Sequence, residues 1–599
     1  MKNMVSYHIQ LLDLSAHLLR VTMQFNSQQD GLLRLPAWIP GSYMVRDFAK
    51  HIITINAQSE AQPLTLTQID KQTWQYQHQA NQQIKLSYDL YAFDLSVRAN
   101  YLSSEILVLN PAASCLEVVG LSETEQQLVI ELPPQVANWR MACALHPFAA
   151  APELTISKFT AKNYLQLIDS PLLAGALELV CFELSGIPHH LVFAGAYQAD
   201  LARIAADLAP ICQQQIDVFG GLPAEVEQYW FLNWAVDKGY GGLEHQHSTL
   251  LMMNKFDLPN PQLPSVVTEE YQNYLALCSH EYFHLWWVTR AKPAELIPYQ
   301  LDAEQYSNQL WLYEGFTSYF DDLSLVRCGK ISASQYLQTL SQTITRVVRS
   351  PSNLVQSLSD SSFTAWTKFY KQDENAQNAV VSYYAKGSLV ALCLDAALRS
   401  RGFVLQDLMR LFYREFSTIG STEERIYALL LELTHDQTLV DEFKKWVNSP
   451  QQLPIAQSLS ALGVQLQLRA PSSTSDLSGE KSFDLPPRDL GFSYEQKPEG
   501  LVVISVRHHS PAQQAGIANQ DIIVAIDGFK ASENNIQQVL NRYPLGTKLP
   551  VHLFRQQRLL VLDFIVTAAT ETTAVLAIDG ETPPSWLAVH SNQNLEQVN

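Results

Sequence analysis

The chain has 599 residues, 47% of them hydrophobic and 17% charged, which is enough apolar material for three or four globular domains. Its 59 acidic and 40 basic residues give a net charge of −19, which argues against a nucleic-acid partner because phosphate binding needs clustered Lys and Arg. Seven scattered cysteines without a CxxC pair indicate reduced thiols rather than a disulfide framework. With no signal peptide and no membrane-spanning apolar run in the sequence, a cytoplasmic protein without a membrane partner is expected.

Residues 1–185 form the first predicted domain, which is β-rich. Short segments such as YHIQLLD, LLRVTMQF and IKLSYDLYAF alternate with turn residues, a pattern typical of a β-sandwich or a large curved sheet. Residues 186–465 form a second, mainly helical domain that begins with a helix ending at Gly220 and two strands. Its further predicted helices are 268–291, 309–328, 333–349, 383–400, 404–417, 422–434 and 437–447.

The last part of the chain divides into three predicted segments. Residues 466–488 are rich in Ser, Pro and charge, which is typical of a linker. Residues 489–567 form a compact β-rich unit, and residues 568–599 form a C-terminal tail without a clear period. The predicted fold class is therefore multidomain α+β.

The segment CSHEYFHLWW (278–287) places His280 and His284 four residues apart in a predicted helix. This spacing puts both imidazoles on one helix face, where they can bind one metal ion. Glu281 could then hold and deprotonate a metal-bound water. The alternative is an aromatic core helix that carries two histidines.

A hydrolytic zinc site needs a third protein ligand, and Glu314 is the candidate. It lies in LWLYEGFTSYFDD (310–322), where aromatic residues surround it on most helix faces. A buried carboxylate is costly there unless it is paired or bound to metal. The alternative is a glutamate on the helix surface. With the two histidines, Glu314 predicts a His2Glu site for one Zn²⁺ per chain.

The segment GYGGLEHQHS (239–248) places Glu244 after Gly241 and Gly242 at the end of a predicted edge strand. A strand edge can bind an extended peptide through its main chain, and an acid at its end can pair with a free α-ammonium group. This arrangement predicts an aminopeptidase. The alternative is an exposed glutamate in a turn.

The segment VSYYAKGSLV (381–390) places Tyr383 and Tyr384 at the start of a predicted helix. A phenol at this position could donate a hydrogen bond to the oxyanion of a tetrahedral intermediate. The alternative is that both rings fill an aromatic core.

Together these segments resemble the glycyl aminopeptidase family, which consists of gluzincin metallopeptidases with an N-terminal β domain and a C-terminal PDZ domain. LPAWIPGSYMVRDFAKHI (35–52) is similar to the family's N-terminal signature, and HEYFHLWW, LYEGFTSYFDD and YYAKGSLV to its zinc helix, third-ligand helix and tyrosine motif. The resemblance covers nearly the whole chain and implies a thermolysin-like catalytic domain. It implies zinc ligands His280, His284 and Glu314, the general base Glu281, the oxyanion donor Tyr384, and the substrate-binding residues Glu244, Gly241 and Gly242. Because Tyr383 is adjacent, the oxyanion donor could be either Tyr383 or Tyr384.

The segment RDLGFSYE (488–495) resembles the carboxylate-binding loop of a PDZ domain. In such domains the loop receives a peptide C-terminus, here through the N–H groups of Leu490, Gly491 and Phe492, and the peptide adds to the sheet as a strand. The alternative is a structural lid or spacer whose groove is filled by its own chain.

The expected function is zinc-dependent hydrolysis of the first peptide bond of peptides with a free N-terminus, with Gly or Ala as the candidate preference. One alternative is a zinc endopeptidase of the same fold, which would cleave N-acetylated peptides equally well. The other is a catalytically silent scaffold that binds peptides through its PDZ domain. Trp287 departs from the Asn that is usual in the family, so the substrate pocket is expected to differ there.

Overall fold

The computed structural model describes residues 4–27, 30–147, 157–580 and 584–588. It confirms a multidomain protein with a β-rich N-terminal part, a helical central part and a PDZ-like β unit. The PDZ-like unit has a separate cluster of buried apolar side chains, whereas the clusters of the other two parts share residues across their boundary. The exact domain boundaries stay predictions.

The N-terminal part is built on an eight-stranded sheet with the order β14-β15-β12-β1-β2-β8-β4-β5 and on two four-stranded sheets. Its strands alternate buried and partly exposed residues, as the period of two requires. Its elements are β1 Met4–Asp13, β2 Leu18–Asn26, β3 Asp30–Arg34, β4 Ile52–Ser59, β5 Gln62–Leu64, β6 Thr67–Gln68, β7 Thr73–Gln77, β8 Gln83–Tyr91, β9 Tyr101–Leu102, β10 Ile106–Leu109, β11 Glu117–Val118, β12 Glu125–Glu131, β13 Arg140–Cys143, β14 His146–Pro147, β15 Lys158–Ala161, α1 Tyr164–Ile168 and β16 Leu172–Gly175.

A five-stranded sheet follows, with the order β17-β18-β19-β21-β20. Its elements are β17 Glu178–Leu184, β18 Ile187–Ala194, α2 Leu201–Phe219, β19 Tyr229–Val236, β20 Gly241–Glu244 and β21 Ser248–Asn254. The strand β17 pairs with β18 although it lies inside the range predicted for the N-terminal domain. The strand β20 is an edge strand that pairs antiparallel with β21.

Helices make up most of the next two hundred residues. They are α3 Glu269–Phe283, α4 Leu310–Arg327, α5 Ala333–Arg349, α6 Leu358–Phe363, α7 Ala376–Ala379, α8 Tyr383–Arg399, α9 Leu405–Ile419, α10 Glu423–Thr434, α11 Gln437–Asn448 and α12 Ile455–Ala461.

The helix α3 ends at Phe283 instead of the predicted residue 291. Val288 has a positive φ of 77°, which breaks the helix. The Thr289 hydroxyl donates to His284 O (2.6 Å) and Leu285 O (3.1 Å) and so caps the carbonyls that the helix leaves unpaired.

The PDZ-like unit consists of β23 Phe492–Lys497, β24 Gly500–Val506, α13 Pro511–Ala515, β25 Ile522–Ile526, β26 Phe529–Lys530, α14 Ile536–Leu540, β27 Lys548–Arg555 and β28 Arg558–Ile565. Two strands outside it, β22 Val464–Arg469 and β29 Thr573–Ile578, pair antiparallel with each other. The chain thus enters and leaves the PDZ-like unit through one two-stranded sheet.

Among the described residues, one helical stretch, Ala376–Arg399, has the length and apolar composition to cross a membrane. Its most apolar window is 72% buried inside the protein, which is typical of a core helix.

Candidate active site

The candidate metal site begins at the end of α3. Thr268 caps the helix by accepting a hydrogen bond from Tyr271 N (3.2 Å). His280 and His284 follow one turn apart, with ring centroids separated by 4.8 Å. His284 is the C-cap residue, but its backbone is still α-helical (φ −66°, ψ −11°). The four-residue spacing therefore brings both rings to one side although the helix is shorter than predicted.

Glu314 on α4 lies opposite the two histidines. Its Oε2 is 3.4 Å from Nε2 of His280 and 3.4 Å from Nε2 of His284, and its carboxylate is buried. In a tetrahedral zinc site with bonds of about 2.1 Å, ligand atoms lie about 3.4 Å apart. These three side chains therefore fit a zinc ion. Burial raises the pKa of Glu314, but the two imidazoles outweigh it and lower that pKa, which favours the carboxylate.

Hydrogen bonds to the other ring nitrogens orient both histidines. His280 Nδ1 lies 3.1 Å from Asp321 Oδ2, and His284 Nδ1 donates to Trp287 O at 2.9 Å. Each Nε2 is thereby left for a metal. The sequence did not predict the role of Asp321, although it lies two helical turns after the third ligand. Trp287 is fully buried and donates to Leu312 O (3.1 Å), and its own carbonyl accepts from His284, so it supports the histidines. Its effect on the substrate pocket stays a prediction.

Two buried glutamates face the same centre. One oxygen of Glu244, one of Glu281 and a ring nitrogen of His284 lie within 4.8 Å of one another. Among the described residues, Glu281 Oε2 and Glu244 Oε1 have no hydrogen-bond partner, as expected where metal, water or substrate completes the site. Burial and then Glu244 raise the pKa of Glu281 to about 7, and burial also raises the pKa of Glu244.

The strand β20 passes close to these carboxylates. A Cβ on Gly242 would lie 2.2 Å from Glu281 Oε1, so a larger residue would displace the carboxylate. Gly241 has φ +153°, a conformation that favours glycine. The free edge of β20 can therefore lie against a peptide directly beside the candidate base.

Tyr384 is the tyrosine that the structure brings to the histidines. Its ring centroid is 6.3 Å from that of His280, and its side chain is partly exposed. Its hydroxyl lies 3.4 Å from the hydroxyl of Tyr370, which directly follows the π-helical segment Ala365–Phe369 and which the sequence did not single out. Tyr383 is fully buried beside them.

The segment 35–52 forms part of the same site. A Cβ on Gly41 would lie 2.6 to 2.7 Å from the carboxylate atoms of Glu244, so the N-terminal part touches this acid directly. The ring of Tyr43 packs on Tyr370 with centroids 6.4 Å apart. The signature in this segment therefore carries residues of the active-site wall.

The predicted PDZ loop lies away from these residues. Gly491 has φ +75°, and a Cβ there would lie 2.4 Å from Ser510 Oγ. The Gly491 N–H already donates to Asp489 Oδ1 at 3.0 Å, which leaves Leu490 and Phe492 of the three predicted donors. The loop opens into a cavity of about 960 Å³ that residues of the helical part also line. Capture of a peptide C-terminus by this loop stays a prediction.

Comparisons with known proteins agree with this geometry. Family models match the Peptidase M61 N-terminal domain at residues 6–176, the M61 glycyl aminopeptidase at 273–390 and a PDZ domain at 488–566. The structure of an aminopeptidase N family protein from Idiomarina loihiensis is similar to this chain, with 37% sequence identity and a TM-score of 0.92. The match covers 98% of this chain and 100% of the Idiomarina loihiensis chain.

More distant comparisons add little. An M1 zinc metallopeptidase from Deinococcus radiodurans is 13% identical with a TM-score of 0.48, covering 76% of this chain and 95% of its own, which is too remote to support an argument. A search of curated proteins gave no match. The identity and coverage of the Idiomarina loihiensis protein and the three family matches show that the chain belongs to the M61 glycyl aminopeptidase family and is a peptidase.

Proposed function

We propose that this peptidase is a zinc aminopeptidase that removes the first residue from peptides with a free N-terminus. His280, His284 and Glu314 would hold one zinc ion, which is supported by their 3.4 Å separations and by the hydrogen bonds that orient both rings. Bound there, zinc supplies Lewis acidity that polarises a carbonyl and makes water more acidic.

Glu281 and Tyr384 carry the proposed proton and charge chemistry. The unpartnered Oε2 of Glu281 takes a proton from the attacking water and passes it to the leaving amine. The Tyr384 hydroxyl donates a hydrogen bond to the carbonyl oxygen as negative charge develops on it. Tyr370, whose hydroxyl is 3.4 Å away, helps to position that phenol.

The position of Glu244 carries the aminopeptidase proposal. Its carboxylate is buried, its Oε1 has no partner among the described residues, and it lies within 4.8 Å of Glu281 and His284. A buried unpaired carboxylate is costly, and a substrate α-ammonium would satisfy it. An α-nitrogen is only about 2.5 Å from its own carbonyl carbon, so an ammonium at Glu244 puts the first peptide bond beside Glu281.

A small first residue, such as Gly or Ala, is the proposed preference. Crowding around Glu244 supports it, because the Gly41 backbone lies against the carboxylate. The buried ring of Tyr43 stands nearby, where burial and the charges of Glu314 and Glu244 raise its pKa. A bulky first side chain would have to displace one of these groups.

The experiment compares alanyl and glycyl p-nitroanilides with N-acetylated peptides. The purified protein should hold about one zinc per chain, lose activity to a chelator and regain it with zinc. Glu244→Gln should lower kcat/KM for free-amine substrates by about tenfold to a hundredfold, the worth of a hydrogen bond to a charged group. The exposed Glu227→Gln, beside β19, is the matched control.

Other outcomes point to the alternatives. Equal cleavage of free and N-acetylated peptides would indicate an endopeptidase. Absence of zinc, together with no activity after zinc is added, would leave a peptide-binding scaffold. Faster turnover of leucyl or phenylalanyl than of glycyl and alanyl substrates would contradict the small-residue preference.

A further inference from the structure

Two arginines of the N-terminal part lie at the catalytic cleft, where the proposed mechanism does not use them. Arg46 belongs to the segment 35–52, and Arg98 lies between β8 and β9. Both nitrogens at the end of the Arg98 guanidinium, Nη1 and Nη2, lie 3.9 Å from the position that a Cβ on Gly241 would take. Arg98 therefore stands beside the first residue of the proposed substrate-binding strand.

Neither guanidinium has an ion-pair partner within 4 Å among the residues that the structure describes. Arg98 Nε is buried without a hydrogen-bond acceptor. Arg46 donates from Nε (3.3 Å) and Nη2 (2.7 Å) to the single hydroxyl of Ser42. Burial and then the charge of Arg98 lower the pKa of Arg46 to about 10, while Tyr370 and Asp94 oppose that fall with smaller effects.

Both arginines are only partly exposed and act electrostatically on Tyr370. Burial raises the pKa of Tyr370, and the positive charge of Arg98 opposes that rise. Arg46 interacts with the same phenol. Because Tyr370 contacts Tyr384 and Arg98 lies beside Gly241, Arg98 lies between β20 and the tyrosine side of the site, and Arg46 is close enough to interact with it. Two partly desolvated like charges that form no ion pair with a described residue are costly, and an anion placed between them would lower that cost.

The length of β20 indicates which anion reaches them. Gly241 and Glu244 are three residues apart, about 10 Å at ~3.3 Å per residue. An extended tripeptide spans about the same 10 Å. If a peptide adds antiparallel to the free edge of β20 with its α-ammonium at Glu244, its third residue ends beside Gly241.

We propose that Arg98 and Arg46 form a carboxylate subsite that binds the C-terminal carboxylate of tripeptides. The planar guanidinium matches a carboxylate in two parallel hydrogen bonds, which a neutral peptide group cannot reproduce. Longer peptides would place an uncharged peptide bond beside the two cations. This inference rests on the proposed function, since it needs the ammonium at Glu244, and it makes tripeptides the favoured class of substrate.

The test compares trialanine with trialanine amide, which differ only in the terminal charge. In the wild-type protein kcat/KM for the acid should exceed that for the amide by about tenfold to a hundredfold. Arg98→Gln and Arg46→Gln should each reduce this ratio towards one. Lys85→Gln removes one charge from an exposed position on β8 of the same domain and should leave the ratio unchanged. Thermal unfolding confirms that each variant is folded.

Peptides of different length distinguish a carboxylate subsite at the third residue from a general attraction of the cleft for negative charge. The acid-to-amide ratio should be largest for trialanine and smaller for tetraalanine. Three results would contradict the carboxylate subsite. They are an acid-to-amide ratio of kcat/KM that is the same at both lengths, a wild-type ratio near one, and ratios that stay unchanged in both arginine variants. Alanyl p-nitroanilide has no carboxylate, so its hydrolysis reports the proposed function alone. A wild-type protein that is inactive on every substrate contradicts that function instead.

Discussion

Tyr383 and Tyr384 are neighbours at the start of α8 but have different surroundings. The Tyr384 ring lies 6.3 Å from that of His280, and its hydroxyl lies 3.4 Å from the hydroxyl of Tyr370. Tyr383 is fully buried, and its hydroxyl has no partner within 3.5 Å among the described residues. Tyr383 therefore serves as a control, because changing it removes one phenol hydroxyl from the same end of α8.

Tyr384→Phe should lower kcat by about a hundredfold to a thousandfold, the usual effect of removing one oxyanion donor, with little change in KM. Tyr383→Phe should stay close to the wild-type rate, because it removes a buried hydroxyl that has no partner within 3.5 Å among the described residues. Steady-state kinetics on alanyl p-nitroanilide measure both variants. A larger loss in Tyr383→Phe than in Tyr384→Phe would reverse the assignment and resolve the ambiguity in favour of Tyr383.

At the scale of elements, α4 and α8 carry the third candidate ligand and the oxyanion tyrosine, and they meet through two glycines. A Cβ on Gly315 would lie 2.5 Å from Gly387 Cα, and a Cβ on Gly387 would lie 2.8 Å from Trp311 O. These neighbours are backbone atoms, which cannot rotate away. The absence of side chains at both positions therefore sets the distance between Glu314 and Tyr384.

Gly387→Ala should force the two helices apart and lower both stability and kcat. Overpacking of this kind costs about 1–3 kcal/mol, more than the ~1 kcal/mol that Ala gains over Gly in a helix. Thermal unfolding and steady-state kinetics would check this. Ser388→Ala is the control, because the Ser388 hydroxyl bonds only Ala385 O within its own helix (2.9 Å). An alanine variant at 387 as stable and active as the wild type would contradict the packing argument.

The elements that sequence could predict are those with a strong local pattern. The ends of α4, α5 and α8 lie within one residue of the predicted ones. Ser332 and Ser382 cap the starts of α5 and α8, whereas α4 is a continuous apolar run that starts without a side-chain cap. The end of α3 was wrong by eight residues, since Val288 and Thr289 end it through contacts that no period reveals. Tyr370 and Arg98 reach the site from separate loops, and only tertiary folding brings them there.

At the scale of the whole molecule, the PDZ-like unit is attached to the peptidase part on two sides. The sheet of β22 and β29 holds both of its chain ends, and Ala574 N donates to Thr345 Oγ1 on α5 at 2.9 Å. On the other side, Asn378 on α7 donates to Val506 O (2.9 Å) and accepts from His508 N (2.8 Å). The second contact lies six residues before Tyr384, so docking of the unit supports the segment that leads to the proposed oxyanion donor.

Asn378→Ala should loosen the PDZ-like unit and lower kcat with little change in KM. The variant leaves a carbonyl and an N–H group of the PDZ-like unit unpaired, at about 1–3 kcal/mol for each group that stays buried. Limited proteolysis should then cut the segment 470–487 faster than in the wild type. Gln377 lies next to Asn378 on α7 and donates one side-chain hydrogen bond to Ser505 Oγ on β24 (2.9 Å). Gln377→Ala removes only that bond and should have a smaller effect. Unchanged proteolysis and kcat in Asn378→Ala would mean that the sheet of β22 and β29 alone holds the unit in place and that α8 is positioned independently of it.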